Sequence, residues 1–131
     1  MSAEDTAPEA PIISIVDDDA SVRRSTVRLL GSSGLSAEAF ASAGEFLQSS
    51  RAAGTRCLLL DVSMPGMDGL ELQRHLVESG RRLPIVFISA RANEREERLA
   101  LDSGAAGFLR KPVGKEALLN AIRTALEGPA L

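Results

Sequence analysis

Short apolar runs alternate with segments of helical period along almost the whole chain. Ile12-Ile13-Ser14-Ile15-Val16 is rich in β-branched residues and stops on Asp17-Asp18-Asp19, the pattern of a buried strand ended by charge. Val22, Thr26, Leu29 and Leu30 then recur at helical spacing, and Gly31 and Gly34 are expected to close that helix. A weaker strand is expected over 37–40, and a helix over 43–52 carrying Phe46 and Leu47. The run 57–60 (CLLL) is a second buried strand, ending on Asp61. Asp68 followed by Glu71 is a capping-box pattern, which predicts a helix from Asp68 to Gly80. Residues 85–88 (IVFI) follow Pro84 as a fourth strand. A polar helix is predicted over 93–103, stopped at Gly104, and a short strand over 106–109. The last helix carries Leu118, Ala121, Ile122 and Ala125 as its inner stripe.

Five strands, each followed by a helix and apolar on both faces, imply a parallel sheet covered on both sides. The expected organisation is one α/β domain over 12–127. Residues 1–11 (MSAEDTAPEAP), with two prolines and no apolar period, are read as a mobile leader, and 128–131 as a tail. No internal repeat or low-complexity linker interrupts the pattern.

Composition narrows the function classes. With 131 residues, 44% hydrophobic and 25% charged, the chain is globular in character. A net charge of -3 and a pI near 5.2 argue against a protein that grips nucleic-acid phosphates over its whole surface. The single Cys57 excludes a disulfide within the chain, and no apolar stretch approaches the ~20 residues of a membrane span. A soluble, reducing, cytoplasmic setting is the expectation.

The candidate chemistry lies where strands end. Strand one ends in Asp17-Asp18, strand three in Asp61, strand four in Ser89 and strand five in Arg110-Lys111. In a parallel sheet these positions open onto one edge, where ligands of such folds bind. Carboxylates gathered there repel each other by roughly 3 kcal/mol per pair at ~5 Å and an effective dielectric of ~20. Such a cluster must hold a proton, a cation or both. An oxygen-only set suits Mg²⁺, and a lysine and a hydroxyl beside it suit a phosphoryl group. Lys111 and Lys115 are the two lysines among fifteen basic residues, so a lysine at this edge stands out.

The segments IVDD (15–18), LLLDVSMPGMDG (58–69), FISA (87–90) and SGAAGFLRKP (103–112) together resemble the receiver domain of bacterial two-component response regulators. The resemblance spans about residues 12–127 and implies a flavodoxin-like (βα)5 three-layer sandwich, its parallel sheet in the order 2-1-3-4-5. It implies that Asp61 takes a phosphoryl group from the histidine of a sensor kinase or a histidine phosphotransfer protein. Asp18 and Asp61 would bind Mg²⁺ directly with the backbone carbonyl of Ser63, and Asp17 through a water; Mn²⁺ would substitute. Lys111 would pair with Asp61 at rest and with the phosphoryl oxygens afterwards. Ser89 would hydrogen-bond the phosphoryl group, and Phe108 would rotate inward with it, changing the surface of the fourth helix, fifth strand and fifth helix. Ser63 and Arg91 occupy positions that set phosphate lifetime in such domains, and the Lys111–Pro112 bond is commonly cis. Ser89 stands where threonine is more usual, and Val113 where phenylalanine is.

The implied role is a phosphorylation-dependent switch, an assisted acceptor rather than an enzyme acting on a separate substrate. It would control a downstream protein, or its own dimerisation, through residues 93–127, with no direct nucleic-acid contact and no membrane insertion. A stand-alone phosphorelay intermediate, a phosphate sink and a receiver cut from a DNA-binding regulator are the other arrangements. A flavodoxin-type FMN carrier is disfavoured by the acids after strand one, where backbone donors would have to hold a phosphate. A dehalogenase-type phosphatase wants a second Asp where Ser63 stands. Asp19 and Asp68 are expected to be helix caps, His75 a surface or packing residue, and Cys57 inert and buried. Glu94 and Arg98 have the spacing of a helical ion pair. In the last helix, Leu118, Leu119, Ile122 and Leu126 suggest a second, outward apolar stripe for a partner.

Overall fold

In a computed structural model that describes residues 12–128, five strands pair in parallel in the order β2-β1-β3-β4-β5. They are β1 (Ile12–Val16), β2 (Ser36–Phe40), β3 (Thr55–Leu60), β4 (Ile85–Ser89) and β5 (Gly107–Arg110). The helices are α1 (Ala20–Ser32), α2 (Ala43–Gln48), α3 (Gly69–Glu78), α4 (Glu94–Asp102) and α5 (Lys115–Glu127), with a 3-10 turn at Ser50–Gly54. The strand order and the βα alternation follow the expectation. The expected leader at 1–11 and residues 129–131 of the tail lie outside the described residues.

Alternation along each strand sorts the core into two layers. On one face Val16, Leu58, Leu60 and Phe87 pack with Phe46, Leu72, Leu76 and Ala100 of α2, α3 and α4. On the other, Ile13, Ile15, Cys57, Leu59 and Val86 pack with Leu30 of α1 and Leu118, Ile122 and Ala125 of α5. Ser14, buried among the strands, is satisfied by the Thr55 hydroxyl at 2.6 Å. Gln73 is buried as well and donates to the Ala100 carbonyl at 2.9 Å, tying α3 to α4.

Local signals set the helix starts. The Asp19 carboxylate accepts from the backbone N–H groups of Ser21 and Val22, and Asp68–Glu71 and Asn93–Glu96 form complete capping boxes. Three expectations are corrected. Gly31 lies inside α1, which ends at Ser32; Gly34, at φ 83°, takes the left-handed position beyond it. The helix expected over 43–52 breaks at Ser49, whose side chain caps the following 3-10 turn. Finally, α5 has no separate outward stripe, because Leu119 and Leu126 are half-buried against the same core as Ile122. The exposed large apolar side chains near the α4–β5 side are Leu99 and Leu101.

Register carries the strand ends to one edge. Val16 pairs with Phe40 on one side and Leu60 on the other, Leu60 with Phe87, and Ser89 with Arg110. The ladder continues one residue past the strands. Asp17 N donates to Phe40 O, Asp61 N to Val16 O and Lys111 N to Ser89 O, at 3.2, 3.0 and 2.9 Å. The backbones of the acids and of the lysine are thereby fixed by the sheet itself. The chain order reverses at β1, between β2 and β3, so the crevice at their carboxyl ends is the topological switch point.

Candidate functional site

Asp17 and Asp18 leave β1, and Asp61 leaves β3, one strand away. Each offers a carboxylate oxygen, and these oxygens all lie within 4.8 Å of one another. Asp17 and Asp61 are buried, whereas Asp18 is exposed. Lys111 follows β5 and reaches over them, its Nζ 3.0 Å from Asp17 Oδ2 and 3.6 Å from Asp61 Oδ2. The sequence-derived acids and lysine thus meet, but the ammonium is hydrogen-bonded to Asp17 rather than to Asp61.

Each acid is held differently. Asp17 Oδ1 accepts from the Asp19 N–H at 2.9 Å, and its backbone carbonyl accepts from Arg23 Nη1 at 2.8 Å. Asp61 Oδ1 accepts from the Ser63 N–H at 3.3 Å. Burial pushes the Asp61 carboxyl above the usual carboxylate range, and the charge of Asp17 adds to this. Lys111 and the Ser63 N–H oppose the shift, and Asp18 reinforces it. Burial alone would lower the Lys111 ammonium, but the hydrogen bond to Asp17 and the charges of Asp61 and Asp17 outweigh it and raise it.

Three carboxyl groups share one ammonium in the crevice. The donors are all oxygens, two of them on nearly buried carboxylates pinned through their backbones, and the third faces solvent. Such a set fits Mg²⁺, which takes one or two carboxylates and keeps other positions for water and phosphate.

The loop after Asp61 is held by a close approach. Gly69, the first residue of α3, donates its N–H to Val62 O at 2.8 Å. A Cβ at Gly69 would stand 2.2 Å from the Asp61 carbonyl oxygen and 3.0 Å from the Val62 Cα. Only glycine lets the helix start seat directly against the backbone of the central acid.

Ser89 is fully buried at the end of β4, where its Oγ accepts from the N–H groups of Ala92 (3.0 Å) and Arg91 (3.2 Å). Phe108 is half-buried and stacks on Phe87 with ring centroids 5.9 Å apart. Ser63 and Arg91 are exposed, and the Lys111–Pro112 peptide is cis. The caps proposed for Asp19 and Asp68 are formed, His75 is exposed, and Cys57 is buried with its thiol pushed up to about 12 by desolvation. Glu94 and Arg98 do not pair; Glu97 instead reaches Arg110 at 2.6 Å.

Sequence reasoning missed Arg23 and Gly69, and placed Arg110 at the end of strand five without giving it a role. Gly69 lies within the quoted MDG motif, and its fixed distance from Asp61 was the available signal. Arg110 follows Phe108 by two residues, so the two share one face of β5, which places a guanidinium beside an aromatic ring.

A parallel sheet in this order, with paired acids after β1, an acid after β3, a hydroxyl at the end of β4 and a lysine after β5, defines a receiver domain. The sequence matches the response regulator receiver domain family over residues 13–123, and the chain belongs to that family. It is 44% identical over 118 residues to the response regulator protein TodT of Pseudomonas putida, covering 90% of this chain and 52% of that protein. It is 41% identical over 116 residues to nodulation protein W of Bradyrhizobium diazoefficiens, covering 88% and 51%. The chain therefore spans about half the length of the curated relatives it matches. Among solved structures, FixJ-N superposes with a TM-score of 0.82 at 29% identity, covering 95% of this chain and 99% of that one. Chemotaxis protein CheY4 of Vibrio cholerae gives 0.80 at 27% identity, covering 89% and 99%.

Proposed function

We propose that this domain is a phosphorylation switch whose acceptor is Asp61. The observation that carries the reading is the meeting of Asp17, Asp18 and Asp61 within one crevice under the Lys111 ammonium. A carboxylate oxygen of Asp61 attacks the phosphorus of a phosphohistidine on a sensor kinase or histidine phosphotransfer protein. The P–N bond breaks as the O–P bond forms, and the donor imidazole nitrogen takes a proton from solvent. A carboxylate nucleophile has no proton to give up as it attacks, so no general base is required; positioning and charge neutralisation suffice.

Asp18, Asp61 and the Ser63 carbonyl would hold Mg²⁺, with Asp17 acting through a water. When bound, the ion supplies positive charge against the oxygens of the transferring group. Lys111 turns from Asp17 to those oxygens, and the Ser89 hydroxyl donates to them. Phe108 follows the space that Ser89 vacates, altering the surface of α4, β5 and α5. Ser63 and Arg91, both exposed, govern water access and hence phosphate lifetime. The domain assists its own phosphorylation and dephosphorylation and turns over no separate substrate. It works in the cytoplasm, and its changed surface acts on a downstream protein or a second copy.

The half-length match favours a second reading of the output, in which the domain governs a DNA-binding function, since relatives such as FixJ and TdiR are named transcriptional regulatory proteins. Phosphotransfer from a panel of purified histidine kinases tests the switch. Transfer that needs Mg²⁺ supports it, and no transfer from any kinase or small phosphodonor contradicts it.

A further inference from the structure

Arg110 touches the β4–α4 loop, α4 and the aromatic ring of its own strand with one side chain. Its Nη1 donates to the Ala92 carbonyl at 2.6 Å, its Nη2 meets Glu97 Oε1 of α4 at 2.6 Å, and its guanidinium lies 5.5 Å from the centre of the Phe108 ring. Ala92 is nearly buried, and among the described hydrogen bonds Arg110 is the partner of its carbonyl. The other side of the same residue, its N–H, donates to Ser89 Oγ at 3.0 Å. Ser89 and Arg110 are also paired across β4 and β5. Arg110 therefore grips, from the edge strand, the residue whose N–H holds the Ser89 hydroxyl.

The side chains of Arg110 and Glu97 are 46% and 34% exposed, so their ion pair contributes little stability by itself. Its consequence is placement. The guanidinium holds the loop between β4 and α4 at Ala92 with one nitrogen and α4 at Glu97 with the other, two separate contacts in a fixed planar fork that a lysine could not reproduce. The stacked face above Phe108 adds a third point.

We infer that Arg110 is a positioning residue, holding Ser89 in its resting place through Ala92 while Glu97 holds the guanidinium. This rests on the reading of Ser89 as a phosphoryl ligand. To turn towards a phosphoryl group, the Ser89 hydroxyl must leave the Ala92 N–H, and the Arg110 grip on Ala92 resists that departure. The same guanidinium leans on Phe108, so release of the loop and freedom of the ring are coupled through one side chain.

The test uses Arg110→Met, Arg110→Lys and Glu97→Gln, each followed in two ways. Without any ligand, the amide resonances of Arg91 and Ala92 and their hydrogen exchange report the loop. With saturating Mg²⁺, the affinity for beryllofluoride reports the switched state. In Arg110→Met, the Ala92 resonance should move and exchange faster, and beryllofluoride should bind roughly threefold to tenfold more tightly. Glu97→Gln should shift both readouts in the same direction by less, and Arg110→Lys should restore them only in part. Unchanged Ala92 exchange in Arg110→Met, or moved resonances with unchanged beryllofluoride affinity, would overturn the inference. If Arg110→Met does not fold, Glu97→Gln decides by the same criteria. A wild-type domain that binds no beryllofluoride would instead count against the switch reading, while the ligand-free amide measurements still decide whether Arg110 places the loop.

Discussion

Lys111 and Asp17 form the closest ion pair of the crevice, 3.0 Å apart, while Asp61 stands 3.6 Å from the same ammonium. The resting cation is committed to the flanking acid, and the central acid is left the less neutralised of the two. That division explains why burial and Asp17 together raise Asp61 despite a neighbouring lysine. It also leaves the Asp61 carboxylate accessible to an incoming cation or phosphoryl group. The ammonium needs to move only the short way from one carboxylate to the other to follow a new charge.

Removing the Asp61 charge should stabilise the metal-free domain. Because the folded-state pKa of Asp61 is raised, the folded chain binds that proton more tightly than the unfolded chain does. Its favourable contribution is present below the ordinary value of 3.8 and is lost as pH rises through the higher folded value. Asp61→Asn should therefore unfold roughly 4 °C above wild type at neutral pH, for a relief of ~1 kcal/mol. The advantage should vanish below pH 3.8. Thermal unfolding in chelator across pH checks this; a variant less stable than wild type at neutral pH would contradict it.

Magnesium affinity should share the same acid limb. The ion needs Asp61 ionised, so affinity should fall on acidification with a midpoint above 3.8. Isothermal titration at several pH values gives the midpoint directly, and an affinity flat down to that value would count against Asp61 as a ligand.

Lys111→Met should have opposite effects on stability and on metal binding. Loss of the ammonium leaves Asp17 and Asp61 without their cation, at a cost of about 2 kcal/mol in the metal-free state. The same loss removes a competitor for the carboxylates, so Mg²⁺ should bind more tightly than in wild type. Urea unfolding with and without Mg²⁺ measures both; weaker metal binding in the variant would show that the lysine is not a competitor for the site.

Gly69→Ala inserts one methyl group 2.2 Å from the Asp61 carbonyl oxygen, against backbone that has no side-chain freedom to yield. Within a helix this change ordinarily gains up to ~1 kcal/mol. Here it should destabilise by roughly 2 kcal/mol and weaken Mg²⁺ binding, because the strand end carrying Asp61 must shift. Equal metal affinity in a destabilised variant would limit the glycine to packing.

The elements most legible in the sequence were those with a single physical cause. The run from Ile12 to Val16 ends where three acids begin, and the Asp68–Glu71 and Asp19 caps follow from donors at helix starts. The acids and the lysine were legible as a site because parallel strands have one common edge. Other features depend on neighbours distant in sequence. Whether Leu119 and Leu126 face outward depends on how α5 tilts on the sheet, which periodicity cannot give. Gly31 continues α1 from an exposed position, while the adjacent Leu30 anchors the same turn in the core. Which acid holds Lys111, and that Arg110 passes over Phe108 to Ala92, are settled by side-chain geometry across strands. Spacing pairs Glu94 with Arg98, whereas the ion pair formed is Glu97–Arg110, because helical spacing counts only partners on the same helix and Arg110 belongs to β5.

The most direct measurement is the intact mass of the domain after acetyl phosphate and Mg²⁺, followed by borohydride reduction and peptide mapping. A gain of one phosphoryl group, reduced at position 61 and absent both in Asp61→Asn and in chelator, is the predicted result. No gain in wild type, or an equal gain in Asp61→Asn, would contradict Asp61 as the acceptor.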